Sequence, residues 1–216
     1  MTHCFSRRSF LKGSAAAAAV LSSPLLPADA AFSETENGLF SPVSALCQTQ
    51  YGPVKGREGE NGQLCWYGIP YGAAPTGESR WTAPLEPACW HTVRDCTSPA
   101  PASYQYTTFP LGTEDCLTLD IYSSAEAKKR PVLVYLHGSA ATGSSLELPG
   151  CELVRDAGCV FVALNYRLGL FGWNCLPALT ADPDATGNFA LLDIARALDW
   201  VKDNIRRFGG DADNIT

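Results

Sequence analysis

Two continuous apolar runs constrain the fold of this chain more than any other feature. Val132-Leu133-Val134-Tyr135-Leu136 follows Pro131, and Val160-Phe161-Val162-Ala163-Leu164 comes later. Runs of this kind suit strands buried on both faces, with helices packed over them. Residues 147–157 lie between them and are expected to form the helix of a crossover unit. Just upstream, Leu117-Thr118-Leu119-Asp120-Ile121-Tyr122 alternates apolar and polar, as a half-buried strand does.

The strongest helical pattern covers 188–208. Leu191, Ile194, Leu198, Val201, Ile205 and Phe208 recur every three or four residues and form one apolar stripe. Arg196, Asp199, Lys202, Asp203 and Arg206 fall mostly opposite it, and Asp203 stands at ion-pair spacing from Arg206 and Arg207. Gly209-Gly210 is expected to end the helix, since glycine tolerates a left-handed cap. Asn214-Ile215-Thr216 reads as a turn entering another strand. Upstream, residues 31–50 have no period and read as a loose lead-in. The Gly- and Pro-dense stretch from Tyr51 to Trp90 reads as short strands and tight turns, and 97–113 reads as an irregular loop.

Residues 1–30 carry an address. Arg7-Arg8 precede Phe10-Leu11-Lys12, an alanine-rich run extends to Leu21, Pro24 and Pro27 follow, and Ala28-Asp29-Ala30 offers small residues for cleavage. That order reads as an export signal of the twin-arginine class, with a periplasmic or extracellular destination. Removing it takes three positive charges and one negative from a chain of net charge −6, leaving −8. An acidic balance disfavours nucleic acid, because no basic surface is present to displace phosphate counterions. No apolar stretch after the signal is long enough to span a membrane. Cys4 leaves with the signal, and the eight remaining cysteines permit full pairing in an oxidising compartment. A zinc site is disfavoured, since no C-x-x-C pair exists and the histidines are only His3, His91 and His137.

Five segments in register resemble the type-B carboxylesterase and cholinesterase family of α/β-hydrolases. They are Gly68-Ile69-Pro70-Tyr71, Glu114-Asp115-Cys116-Leu117, Val134-Tyr135-Leu136-His137-Gly138, Asn165 through Gly172, and Gly187-Asn188 onward to Phe208-Gly209-Gly210-Asp211. The resemblance runs from about Tyr51 to Thr216 and covers the N-terminal part of a typical member, less than half of it. It implies an α/β fold whose mostly parallel central sheet has flanking helices and stops before the nucleophile strand. It also implies a serine ester hydrolase that works through an acyl-enzyme without a cofactor, on a small-molecule carboxylic ester. In the family, backbone N–H groups after a buried strand form an oxyanion hole. By position these are Gly138, Ser139 and Ala140. A glycine run normally follows the histidine; Ser139 and Ala140 stand here instead, and the loop is one residue shorter.

No Gly-x-Ser-x-Gly elbow occurs in the sequence, so no catalytic residue is assigned. His137 belongs to the oxyanion loop by position, and His91 fits a surface or packing role. The resemblance further implies that Cys96 and Cys116 pair across the irregular loop, for a gain of about 3 kcal/mol. That loop has Tyr104, Tyr106 and Phe109 but no tryptophan, which favours a general esterase over choline specificity. Asp193 is either a buried acceptor or a solvated charge. The chain is accordingly expected to be inactive alone, with a binding or adhesion module and a non-functional remnant as the alternatives. A sheet that stops at Thr216 is expected to leave Val132–Leu136 as an unpaired apolar edge, with poor solubility.

Overall fold

In a computed structural model the described residues are 43–59, 62–148, 150–174, 176 and 187–216. The signal, most of the lead-in, Cys4 and Cys175 lie outside them. The chain order is β1 (Leu46–Gln48), β2 (Pro53–Lys55), β3 (Arg57–Glu58) and β4 (Gln63–Pro70), then the short strands β5 (Arg94–Asp95), β6 (Gln105–Tyr106) and β7 (Pro110–Leu111). There follow β8 (Thr118–Ser124), β9 (Arg130–Tyr135), helix α1 (Gly150–Ala157), β10 (Val160–Leu164), the single turn α2 (Gly169–Gly172), helix α3 (Phe189–Asn204) and β11 (Gly210–Ile215).

The main sheet has the order β11-β9-β10-β8-β4-β3. β9 runs parallel to β10 and to β11, whereas β10/β8, β8/β4 and β4/β3 are antiparallel. The sheet is therefore mixed rather than mostly parallel. The crossover through α1 makes its parallel part, and the turn-rich N-terminal half supplies the antiparallel part. β1 lies inside the stretch read as a loose lead-in and pairs with β2 in a small separate sheet that includes β5.

Side chains alternate between two cores, as the pleat requires. Leu64, Trp66, Leu119, Ile121, Val132, Val160, Val162 and Leu164 pack with Trp200, Val201, Ile205 and Phe208 on one face. Cys65, Tyr67, Tyr122, Phe161 and Ala163 meet Val154 of α1 and Cys159 on the other. β10 is buried along its whole length. β9 is not: α1 packs mainly on β8, β10 and β4, which leaves Leu133 37% exposed. Nor is β9 the edge of the sheet. β11 lies beside it, with Thr216 N–H donating to Val132 O (2.9 Å) and Val134 N–H to Thr216 O (2.7 Å). Asn214 and Ile215, expected to form a turn, are thus already strand.

α3 forms where its period predicts, but its buried face is rotated from the expected stripe. Phe189, Ala190, Asp193, Ala197, Trp200, Val201 and Asn204 are buried, while Leu191 is 52% and Leu198 39% exposed. Small residues allow close approach to the sheet, and the two buried polar side chains are satisfied by hydrogen bonds. Asn204 accepts from Gln50 N–H (2.9 Å) and donates to Trp200 O (2.9 Å). The helix tightens into a 3-10 turn at Ile205–Phe208 and ends on left-handed Gly209 (φ 82°), as expected. Arg206 pairs with Asp213 across the turn (2.9 Å) rather than with Asp203.

Candidate active-site loop

The chain leaves β9 through Leu136 and enters the segment His137–Gly143. Its first residue is locked. His137 is 3% exposed, its ring stacks on Tyr166 (centroids 4.3 Å, interplanar angle 6°), and Tyr166 Oη donates to His137 O at 2.6 Å. Burial lowers the imidazole's pKa below its usual value, so it stays neutral at physiological pH. A neutral ring pressed flat against a tyrosine suits a spacer. His91, the other histidine among the described residues, is exposed.

Gly138, Ser139 and Ala140 are exposed, and Ser139 adopts a left-handed conformation (φ 71°). Its hydroxyl accepts the N–H groups of Ala141 (3.2 Å) and Thr142 (3.3 Å), which fixes the bend. The N–H groups of residues 138–140 make no hydrogen bond to a backbone or side-chain acceptor among the described residues. Three further contacts hold the loop. Gln105 grips Gly143 at both ends of its peptide, Oε1 accepting from the N–H (3.0 Å) and Nε2 donating to the C=O (2.9 Å). Gly169 N–H donates to Ala140 O (2.7 Å). Position 143 requires glycine, because φ is 140° and a Cβ there would stand 2.3 Å from His137 Nδ1.

Behind the loop lies a buried polar network. Ser145 Oγ donates to Asp120 Oδ2 (2.7 Å), Gly68 N–H donates to Asp120 Oδ1 (2.7 Å), and Ser145 N–H donates to Asn165 Oδ1 (2.9 Å). Burial pushes the Asp120 carboxyl up to about 6 against the pull of these hydrogen bonds. Ser145 is thereby held as a donor to a carboxylate. Its oxygen also accepts from Asn165 Nδ2 (3.0 Å), so it is not set up as a nucleophile facing a histidine base.

The turn bonded to Ala140 brings an aromatic cluster that the sequence did not announce. Phe171 stacks on Trp81 (6.2 Å) and meets Tyr104 edge-on (5.4 Å). The Arg80 guanidinium lies over both Trp81 and Phe171 and forms a two-point pair with Glu114 (2.6 and 2.8 Å). Tyr106 (69%) and Phe109 (74%) stay exposed, so of the three loop aromatics only Tyr104 contributes. Of the others, Phe171 lies within the matched segment Asn165–Gly172. Trp81 lies outside every matched segment. Arg167 anchors this region: its guanidinium forms a buried two-point pair with Asp193 (2.7 and 2.8 Å) and also donates to Arg80 O and Thr82 O. Asp193 is therefore a buried acceptor.

Cys96 and Cys116, expected to cross-link, stand in this structure as buried free thiols. Cys89, by contrast, is disulfide-bonded.

Comparison with known proteins decides the family. The model of the carboxylesterase family matches residues 43–216. This chain belongs to the carboxylesterase family. The twin-arginine translocation signal model matches residues 4–23, so the carboxylesterase-family chain is exported. It is 41% identical over 183 residues to the para-nitrobenzyl esterase of Bacillus subtilis, covering 79% of this chain and 37% of that protein. It is 36% identical over 181 residues to the fumonisin B1 esterase of Sphingopyxis macrogoltabida, covering 78% and 33%. Among solved structures, a carboxylesterase of Geobacillus stearothermophilus superposes with a TM-score of 0.73 at 39% identity, covering 80% of this chain and 36% of that one. The fold is thus the N-terminal part of an α/β-hydrolase, and the chain spans about a third of the length of these relatives.

Proposed function

We propose that the loop at Gly138, Ser139 and Ala140 is the oxyanion-binding element of an exported carboxylic ester hydrolase, and that the 216-residue chain turns over no ester by itself. The observation that carries this reading is the set of three consecutive exposed residues just past the carboxyl end of β9 whose N–H groups, unlike those of Ala141 and Thr142, make no intramolecular hydrogen bond among the described residues. Such donors stabilise the negative oxygen of a tetrahedral intermediate, and they are effective because they are fixed before the charge develops. Gln105, Tyr166 and Gly169 supply the fixing. The Trp81–Phe171–Tyr104 cluster, bonded through Gly169 to the same loop, is the apolar wall against which the substrate's acyl or alcohol group rests. The attack itself needs a serine with a histidine base and an acid, and the sequence offers no Gly-x-Ser-x-Gly elbow.

One observation favours a second reading, a non-catalytic binding module: Ser139 holds a left-handed backbone where glycine would carry no strain. Titrating the ¹⁵N-labelled chain with methylphosphonate, a tetrahedral anion, separates the two. The oxyanion reading predicts amide shifts at Gly138, Ser139 and Ala140 and none at Ala141 or Thr142, whose N–H groups are already engaged. Unmoved amides at 138–140 at saturating anion would contradict it.

A further inference from the structure

Away from the active-site loop, three thiols gather under α1. Cys65 is fully buried on β4, Cys151 is half-buried in the first turn of α1, and Cys159 follows the helix. The Sγ atoms of Cys65 and Cys151 are 3.2 Å apart, while the Cys159 thiol turns toward Leu153 O (3.9 Å). Two features hold the first pair in place. Gly150 lets the helix settle onto the sheet, since a Cβ there would stand 2.5 Å from the Tyr122 ring. Gln63 Nε2, on the same strand as Cys65, donates to Cys151 O (2.9 Å) and pins the helix start above the strand. Both sulfurs are free thiols, and the signal sends the chain out of the reducing cytoplasm.

We propose that Cys65 and Cys151 are a redox site that closes to a disulfide after export, stapling β4 to α1. The half-buried Cys151 is the point of entry. Its thiolate attacks one sulfur of a small-molecule disulfide such as oxidised glutathione, forming a mixed disulfide and releasing one glutathione thiolate. Cys65 then yields its proton to solvent and attacks the Cys151 sulfur, expelling the second glutathione. Two protein thiols lose two electrons and two protons, and one disulfide is reduced to two thiols. Burial favours the protonated form of Cys65, so this second step is the slower one. The closed link spans a sequence separation of 86 residues, and a constraint of that length acts mainly by restricting the unfolded chain.

The test is oxidation of the full chain with oxidised glutathione, alkylation of remaining thiols with N-ethylmaleimide in denaturant, and peptide mapping without reductant. The expected result is one new linked pair joining the Cys65 and Cys151 peptides, lighter by two hydrogens than the reduced pair. It is lost in Cys151→Ser and kept in Cys159→Ser, and the urea midpoint of the oxidised chain is higher than that of the reduced one. Recovery of both peptides as N-ethylmaleimide adducts would overturn the proposal. So would linkage of Cys151 to Cys159, or links scattered over many pairs.

Discussion

Asp120 shows how one residue sets a pH dependence. Its carboxyl is 1% exposed and its pKa is pushed from 3.8 to about 6, chiefly by burial. The folded state therefore binds this proton more tightly than the unfolded state does. Stability from this group is greatest below its unfolded pKa and falls as pH rises through about 6, where the buried carboxylate must be carried without its proton. Asp120→Asn keeps an oxygen for Gly68 N–H and removes the charge. Relative to the parent chain, its urea midpoint should move upward between pH 4 and pH 7; an unchanged difference across that interval would show that Asp120 does not titrate there. Single residues were read unevenly from the sequence. The departure at Ser139 was visible in the sequence, but its left-handed conformation was not. Cys116 reads as a half-cystine by resemblance, but spacing alone does not name its partner, and in this structure it stands as a buried free thiol.

At the scale of elements, the link between α3 and the segment after β10 is the Arg167–Asp193 pair, with side chains 2% and 0% exposed. Burial raises the Asp193 carboxyl's pKa and the Arg167 guanidinium opposes this, so each charge depends on the other. Asp193→Ala leaves a guanidinium buried without its counter-ion and should cost about 3–5 kcal/mol in urea unfolding. A loss within the range of a surface change such as Leu198→Ser would refute the pair's role. The same helix shows what a pattern conveys. Its period was legible because apolar residues recur every three or four positions. Its phase was not, because Ala197, Asp193 and Asn204 line the buried face while Leu191 and Leu198 remain outside. Counting large aliphatics misses a face built from small residues and satisfied polar ones. The two apolar strands divide in the same way: β10 is buried throughout, whereas β9 has α1 over too little of its length.

At the scale of the molecule, the apolar runs identified an α/β sheet but not its mixed character. The antiparallel neighbours β4 and β8 come from stretches whose alternation and turn content do not specify a partner. The edge was also misjudged, since β11 begins at Gly210, directly after the helix cap, and covers β9. The site divides along the same line. The loop after β9 was legible as a strand followed by His137-Gly138; the aromatic cluster beside it was not, because Trp81, Phe171 and Tyr104 come from three separate segments. On the reading proposed above, this arrangement offers hydrogen-bond donors for a developing oxyanion and, among the described residues, places no attacking hydroxyl beside a histidine base. The most direct test is reaction of the full 216-residue chain with a fluorophosphonate probe, read by intact mass, beside the Bacillus subtilis para-nitrobenzyl esterase. The prediction is a fully labelled para-nitrobenzyl esterase and an unlabelled chain; a one-to-one adduct on any serine of the chain would contradict it.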